Sequence, residues 1–115
     1  MKISVAMATY NGAQYIEEQL ESIRIQTMPV DEVRICDDCS SDDTVEVICH
    51  YIREHGLESS WSVEVNQENL GYASNFMKAV GLTNGDYVFF CDQDDIWIAD
   101  RAERMIGLME AHPDM

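Results

Sequence analysis

The chain has 115 residues, 46% hydrophobic and 25% charged, which suits one domain with a buried core. Its formal net charge is −15, from 22 acids against 7 Lys and Arg, and this excludes a nucleic-acid surface, which needs clustered bases to neutralise phosphate. No apolar run reaches the roughly 18 residues of a membrane span, and Met1-Lys2 leads at once into strand-type residues rather than a signal peptide.

Ile3 to Ala8 reads as a buried first strand. Thr9-Tyr10-Asn11-Gly12 is a turn, and Asn11 is expected to cap the next helix with Gln14 as its reciprocal partner. Ile16, Leu20 and Ile23 repeat at helical spacing, Glu17, Glu18 and Glu21 lie on or near the opposite face, and Pro29 ends the segment. Glu32 to Asp37 alternates as a second strand. It runs into Asp37-Asp38-Cys39-Ser40-Ser41-Asp42-Asp43, where Ser40 and Asp43 have capping-box spacing. Val45, Ile48, Cys49 and Ile52 mark a helix to about His55, with Gly56 placed to end it.

Trp61 to Asn66 is a third strand, and Gln67-Glu68-Asn69 leads into a helix with Ala73, Phe76 and Val80 inward. Asp86 to Cys91 is a fourth, buried strand that drives into Asp92, Asp94 and Asp95. A last helix, about Ala99 to Glu110, has Ala102, Met105, Ile106 and Met109 on one side. Four strands alternating with four helices predict an α/β fold, a doubly wound, mostly parallel sheet with helices on both faces. Such sheets bind ligands beyond the carboxyl ends of their strands. All four polar clusters fall there.

The clusters together describe a pocket. Tyr10 would stack on a flat ring, and Asp37 or Asp38 would accept hydrogen bonds from a base N–H or from ribose hydroxyls. Asp92 and Asp94, two apart, offer hard oxygen ligands for a divalent ion against a diphosphate. Neither G-x-x-x-x-G-K-[ST] nor G-x-G-x-x-G is present, so charge neutralisation would fall to the metal. Cys36 and Cys39 form a single C-x-x-C without a second pair or histidines at zinc spacing, so reduced thiols are expected over a zinc or redox site. Trp97 would serve as core or as a sugar platform. Asp100 and Arg101 would pair with neighbours or approach a pyrophosphate. His50, His55 and His112 share no ligand spacing and are expected at the surface.

Ala8-Thr9-Tyr10-Asn11-Gly12, Asp37-Asp38-Cys39-Ser40-Ser41-Asp42, Asn69-Leu70-Gly71 with Asn75, and Gly85-Asp86-Tyr87 into Asp92-Gln93-Asp94-Asp95 resemble, in order and spacing, the N-terminal half of family 2 glycosyltransferases with the GT-A fold. The resemblance covers nearly the whole chain. It implies that Tyr10 packs on the nucleobase with Thr9 near it, that Asp38 bonds the base edge with Asp37 beside it, and that Asn11, Asn69 and Gly71 belong to the nucleotide site. Asp92 would face the ribose, and Asp94, with Asp92, would bind Mn²⁺ or Mg²⁺ on the diphosphate. Phe89 to Trp97 is similar to the rhamnosyltransferase-like members, which hints at a dTDP-linked deoxysugar. Family members usually carry Gly or Asn where Cys39 stands.

The resemblance further implies a UDP- or dTDP-sugar donor, a saccharide or lipid-linked acceptor, and an inverting transfer in surface polysaccharide synthesis. Residues 1–115 are expected to be the donor-binding part of a longer domain, inactive alone, with the general base beyond Met115. The exposed sheet edge would favour self-association. The expected location is the cytoplasm, or the inner membrane face for the full-length protein. The alternatives are a nucleotidyltransferase of similar fold and a metal-binding receiver-like domain. The first would want a basic glycine-rich loop after strand one, and the second paired acids there.

Overall fold

The computed structural model describes residues 2–91 and 96–111. The elements run β1 (Ile3–Thr9), α1 (Ile16–Arg24), β2 (Glu32–Asp37), α2 (Thr44–Glu54), β3 (Trp61–Val65), α3 (Tyr72–Leu82), β4 (Tyr87–Cys91) and α4 (Arg101–Ala111). The four strands form one parallel sheet in the order β3-β2-β1-β4. The expected α/β architecture is therefore present.

The order follows from connection handedness. Right-handed crossovers carry β1 to β2 to β3 in one direction, with α1 and α2 on one face. The return from β3 to β4 passes over two strands, so α3 lies on the other face. The sheet reverses direction between β1 and β4, where such folds open a crevice. Residues pointing to opposite faces of β1 show the division. Ile3, Val5 and Met7 join Ile16, Leu20 and Ile23 of α1, Ile48 and Ile52 of α2, and Ala102 and Ile106 of α4 in the main core. Ala6 and Cys36 meet Ala79 of α3 in a smaller one. A fully buried Leu or Ile of the main core contributes about 1.5–3 kcal/mol through burial.

Gly85 closes the turn before β4. A Cβ there would overlap Ser4 Oγ and lie 2.9 Å from the Lys2 carbonyl, so only glycine lets the backbones approach. At this end of the sheet, far from the polar loops, Glu32 is buried beneath Ser4 Oγ–H at 2.6 Å, Asn84 N–H at 2.7 Å and the Arg34 guanidinium at 3.0 Å. Burial alone would raise its carboxyl, but these donors outweigh burial and hold it below the usual range.

Several local expectations are corrected. Helix α1 begins at Ile16 with no side-chain cap, because the Asn11 side chain is taken by Ser41 across the loops, not by its own helix or by Gln14. The Ser40–Asp43 capping box does not form. Ser40 is turned to Asp37, and Asp42 accepts from the Thr44 N–H instead. The inward row of α3 is Asn75 and Ala79, while Ala73 is exposed and Phe76 and Val80 are half-buried. That face of β1 and β2 presents Ala6 and Cys36, so small and polar residues pack there and the bulky ones move toward β4. Met105 of α4 is exposed. β4 is the outer strand of the sheet, and Phe90 is 60% exposed rather than buried.

Candidate functional site

The carboxyl ends of β1, β2 and β3 lie level, with Thr9 opposite Asp37 and Asp37 opposite Val65. The ladder continues one step further, since Asp38 N–H donates to the Thr9 carbonyl and Asn66 N–H to the Asp37 carbonyl, each at 2.9 Å. The loops after these strands are thus delivered side by side.

The first two loops are stitched together by side chains. Asp37 is fully buried, and its Oδ1 accepts from Thr9 Oγ1–H at 2.7 Å and Ser40 Oγ–H at 2.6 Å. Its Oδ2 accepts from Ser40 N–H at 2.8 Å. Ser40 Oγ in turn accepts from Asn11 N–H, and Asn11 Oδ1 accepts from Ser41 N–H, both at 2.8 Å. Asn11 and Cys39 both adopt left-handed backbone, with φ of 50° and 64°. A position that wants Gly or Asn is here filled by cysteine, whose Sγ–H donates to the Asn66 carbonyl at 2.9 Å. Among the described residues none of the four cysteines is in a disulfide.

Asp38 ties in the third loop. Its Oδ1 accepts from Asn66 Nδ2–H at 3.0 Å and Leu70 N–H at 2.7 Å, and its Oδ2 from Gly71 N–H at 3.0 Å. Those amides lead into α3, so this carboxylate caps a helix thirty-odd residues away. Gly71 has φ 85° and ψ 160°, a backbone state that only glycine adopts readily. Burial would raise the Asp38 carboxyl, yet the hydrogen bonds from Leu70, Asn66 and Gly71 hold it below the ordinary carboxylate range. It is therefore an anion at neutral pH. A carboxylate offers about four lone-pair sites, and the described residues use three, leaving one on Oδ2.

A cavity of about 390 Å³ opens here, lined by Ala8, Thr9 and Tyr10 of the first loop, by Asp38, by Asn69 and Gly71, and by Tyr72 and Asn75 of α3. That volume lies within the range of small-molecule sites. Tyr10, part of the cavity wall, is 48% exposed. Of the residues expected in the site, Thr9, Tyr10, Asp38, Asn69 and Gly71 line this cavity. Asn11 and Asp37 do not, and instead brace the loops that do. Tyr72 and the Asn66–Asn75 pair behind Asp38 were not anticipated as site residues from the sequence. The apolar flank of Tyr72 continues over Phe76, 5.0 Å between rings, to Phe90.

Asp92, Asp94 and Asp95 lie outside the described residues, as does His112. Among the described residues no group of three His, Cys, Asp or Glu gathers to hold a metal. The strand that precedes the acidic run ends at Cys91, paired with Met7 two residues before Thr9. Trp97 is core, 4% exposed and 5.9 Å from Phe89, with the Arg101 guanidinium 4.9 Å from its ring centre. Asp100 pairs with Arg104 at 3.9 Å, and His50 with Glu54 at 3.4 Å when the imidazole is protonated. No helix among the described residues is long and apolar enough to cross a membrane.

Comparison with known proteins agrees with this architecture. The family model described as glycosyl transferase family 2 matches residues 4–115. The dTDP-rhamnosyl transferase RfbG of Shigella flexneri is 40% identical over 107 residues, which are 90% of this chain and 36% of that protein. The crystal structure of S. aureus TarS 1-349 in complex with UDP superposes with a TM-score of 0.84 at 30% identity, covering 98% of this chain and 33% of that one. The mannosyltransferase PcManGT from Pyrobaculum calidifontis, in complex with GDP-Man and Mn²⁺, gives a TM-score of 0.78 at 30% identity over 85% of this chain and 29% of that one. The chain spans well under half the length of the curated relatives it matches.

Proposed function

The chain belongs to glycosyl transferase family 2, and from that premise we propose that it is the donor-binding part of a glycosyltransferase, holding a nucleoside diphosphate sugar across the first three loops. The observation that carries this reading is the cavity between Tyr10 and Asp38. The base stacks on Tyr10, and its N–H donates to the remaining lone pair of Asp38 Oδ2. Thr9, pinned by Asp37 at 2.7 Å, fixes the loop from which Tyr10 projects. Asn69 and Gly71 close the side toward α3. Asn11 and Asp37 serve the site through these loops rather than by touching the ligand.

The ribose and diphosphate extend toward the segment after β4. There Asp92 would contact the ribose and, with Asp94, would hold Mn²⁺ or Mg²⁺. The donor set is all oxygen, which suits a hard divalent ion, and a chain of net charge −15 has little else to offset a diphosphate. When bound, the ion supplies Lewis-acid stabilisation of the departing diphosphate. The mannosyltransferase neighbour solved with Mn²⁺ supports this cofactor class. An acceptor hydroxyl attacks the anomeric carbon as the bond to the diphosphate breaks, inverting the centre. Its proton passes to a general base.

The donor is a UDP- or dTDP-sugar and the acceptor a saccharide or lipid-linked saccharide of a surface polymer. The names of the relatives, a dTDP-rhamnosyl transferase among them, support this class. Self-association through β4 and its exposed Phe90 belongs to the same reading. It would appear as a dimer by sedimentation that Phe90→Lys dissolves. The test of the site is calorimetric titration with UDP and dTDP, with and without Mn²⁺. Metal-dependent binding that Asp94→Ala abolishes is the expected result. Binding indifferent to both metal and Asp94 would count against the reading.

A further inference from the structure

Behind the cavity, a chain of polar side chains runs from the sheet to the surface of α3. Asn75 Nδ2–H donates to the Cys36 carbonyl at 2.8 Å, and Asn66 Nδ2–H donates to Asn75 Oδ1 at 2.8 Å and to Asp38 Oδ1 at 3.0 Å. Lys78 Nζ–H donates to Asn66 Oδ1 at 2.7 Å. Asn66 and Asn75 are 5% and 2% exposed, so neither amide can trade these partners for water.

An asparagine side chain has nearly the same shape with its oxygen and nitrogen exchanged, so partners alone decide its direction. The directions are forced here from both ends. The Cys36 carbonyl only accepts, so Asn75 must give it an N–H and turn its oxygen to Asn66. The Lys78 ammonium only donates, so Asn66 must give it an oxygen and turn both N–H groups to Asn75 and Asp38. With Asn66 so turned, Asp38 Oδ1 is occupied from behind, and the free lone pair of the carboxylate is on Oδ2. Among the described residues Lys78 is also the one cation lining the second cavity behind this loop, which carries Glu64 and Glu68.

We infer that Lys78 is a positioning residue for nucleotide binding: it fixes the Asn66 amide, and through it presents Asp38 to the base. This rests on the reading of the cavity as the base site. Lys78 does not line that cavity. It sits three residues after Asn75 on α3, so the helix that forms the cavity's far wall also sets the carboxylate opposite.

The test is calorimetry on Lys78→Met and Lys78→Arg, with UDP and with inorganic pyrophosphate, each in the presence of Mn²⁺. Lys78→Met leaves the Asn66 oxygen buried without a donor and should weaken UDP about tenfold, the worth of one charge-assisted hydrogen bond. Pyrophosphate, which has no base, should bind within about twofold of wild type, as the defect lies on the base side. Lys78→Arg restores a cationic donor and should recover UDP binding to within about threefold. Lys78→Ala replaces the Met variant if that one does not fold. Lys78→Met binding UDP like wild type, or losing pyrophosphate by the same factor, would overturn the inference alone. No UDP binding by the wild-type chain would overturn it together with the reading beneath it.

Discussion

Asp38→Asn is the substitution that separates the two duties of this carboxylate. The native oxygens accept three hydrogen bonds, from Asn66, Leu70 and Gly71. Asparagine keeps one acceptor oxygen. If that oxygen takes the Oδ1 place, the Asn66 and Leu70 bonds survive in weaker, neutral form, and the new NH₂ faces the Gly71 N–H across 3.0 Å. A bond to a charged group is worth about 1.5–3 kcal/mol and a neutral one about 1. One bond lost and two weakened give a destabilisation of about 2.5–7 kcal/mol. For a chain of this size that lowers Tm by at least about 10 °C. The assay is urea unfolding followed by circular dichroism, with the exposed Glu58→Gln as the charge-matched control. The control should stay within about 0.5 kcal/mol of wild type. An Asp38→Asn midpoint equal to that of the control would refute the account of how this loop is held.

Tyr10→Ala should weaken UDP at least about tenfold in calorimetry with Mn²⁺, while Tyr10→Phe stays within about threefold, because the ring rather than the hydroxyl supplies the stacking. Cys39→Gly should raise stability by about 0.5–1 kcal/mol in urea unfolding, since φ of 64° costs a side chain more than the thiol bond returns. Cys39→Ala keeps the strain, loses the bond and should be destabilised. Glu32 and Asp38 both have carboxyls lowered in the folded state, so their contribution is complete above the unfolded values near pH 4 and is lost as pH falls through the lower folded ones. The stability gap between wild type and Glu32→Gln, measured by urea unfolding from pH 7 to pH 3, should therefore shrink toward the acid end. A gap that widens there would contradict the sign.

The architecture was legible because its signal is periodic. Ile16, Leu20 and Ile23 repeat at helical spacing, and Glu32 to Asp37 was bounded to the residue. Strand order is not periodic, and the place of β4 beyond β1 follows only from the direction of the crossovers. The loops were harder for a related reason. Asn11 and Ser40 have the chemistry of local caps, and a local partner is what spacing can suggest. The partners of Asn11 are Ser40 and Ser41, some thirty residues away, which only the finished sheet brings near, and Ser40 turns back to Asp37 rather than forward to Asp43. Asp37 and Asp38 are alike in sequence, yet one turns inward to Thr9 and the other outward to the third loop. The α3 face was misjudged because Asn75 is polar. Polar residues at helical spacing read as solvent-facing until the Cys36 carbonyl and Asn66 claim this one. Lys78 escaped for the same reason.

The measurement that bears most directly on the site is amide chemical-shift mapping of the chain titrated with UDP and Mg²⁺. The account predicts saturable shifts at Tyr10, Asp38, Leu70 and Gly71, with none beyond noise around Gly56 at the far end of α2. Shifts confined to the second cavity, at Glu64 to Glu68, or no saturable shift at any loop after β1, β2 or β3, would contradict it.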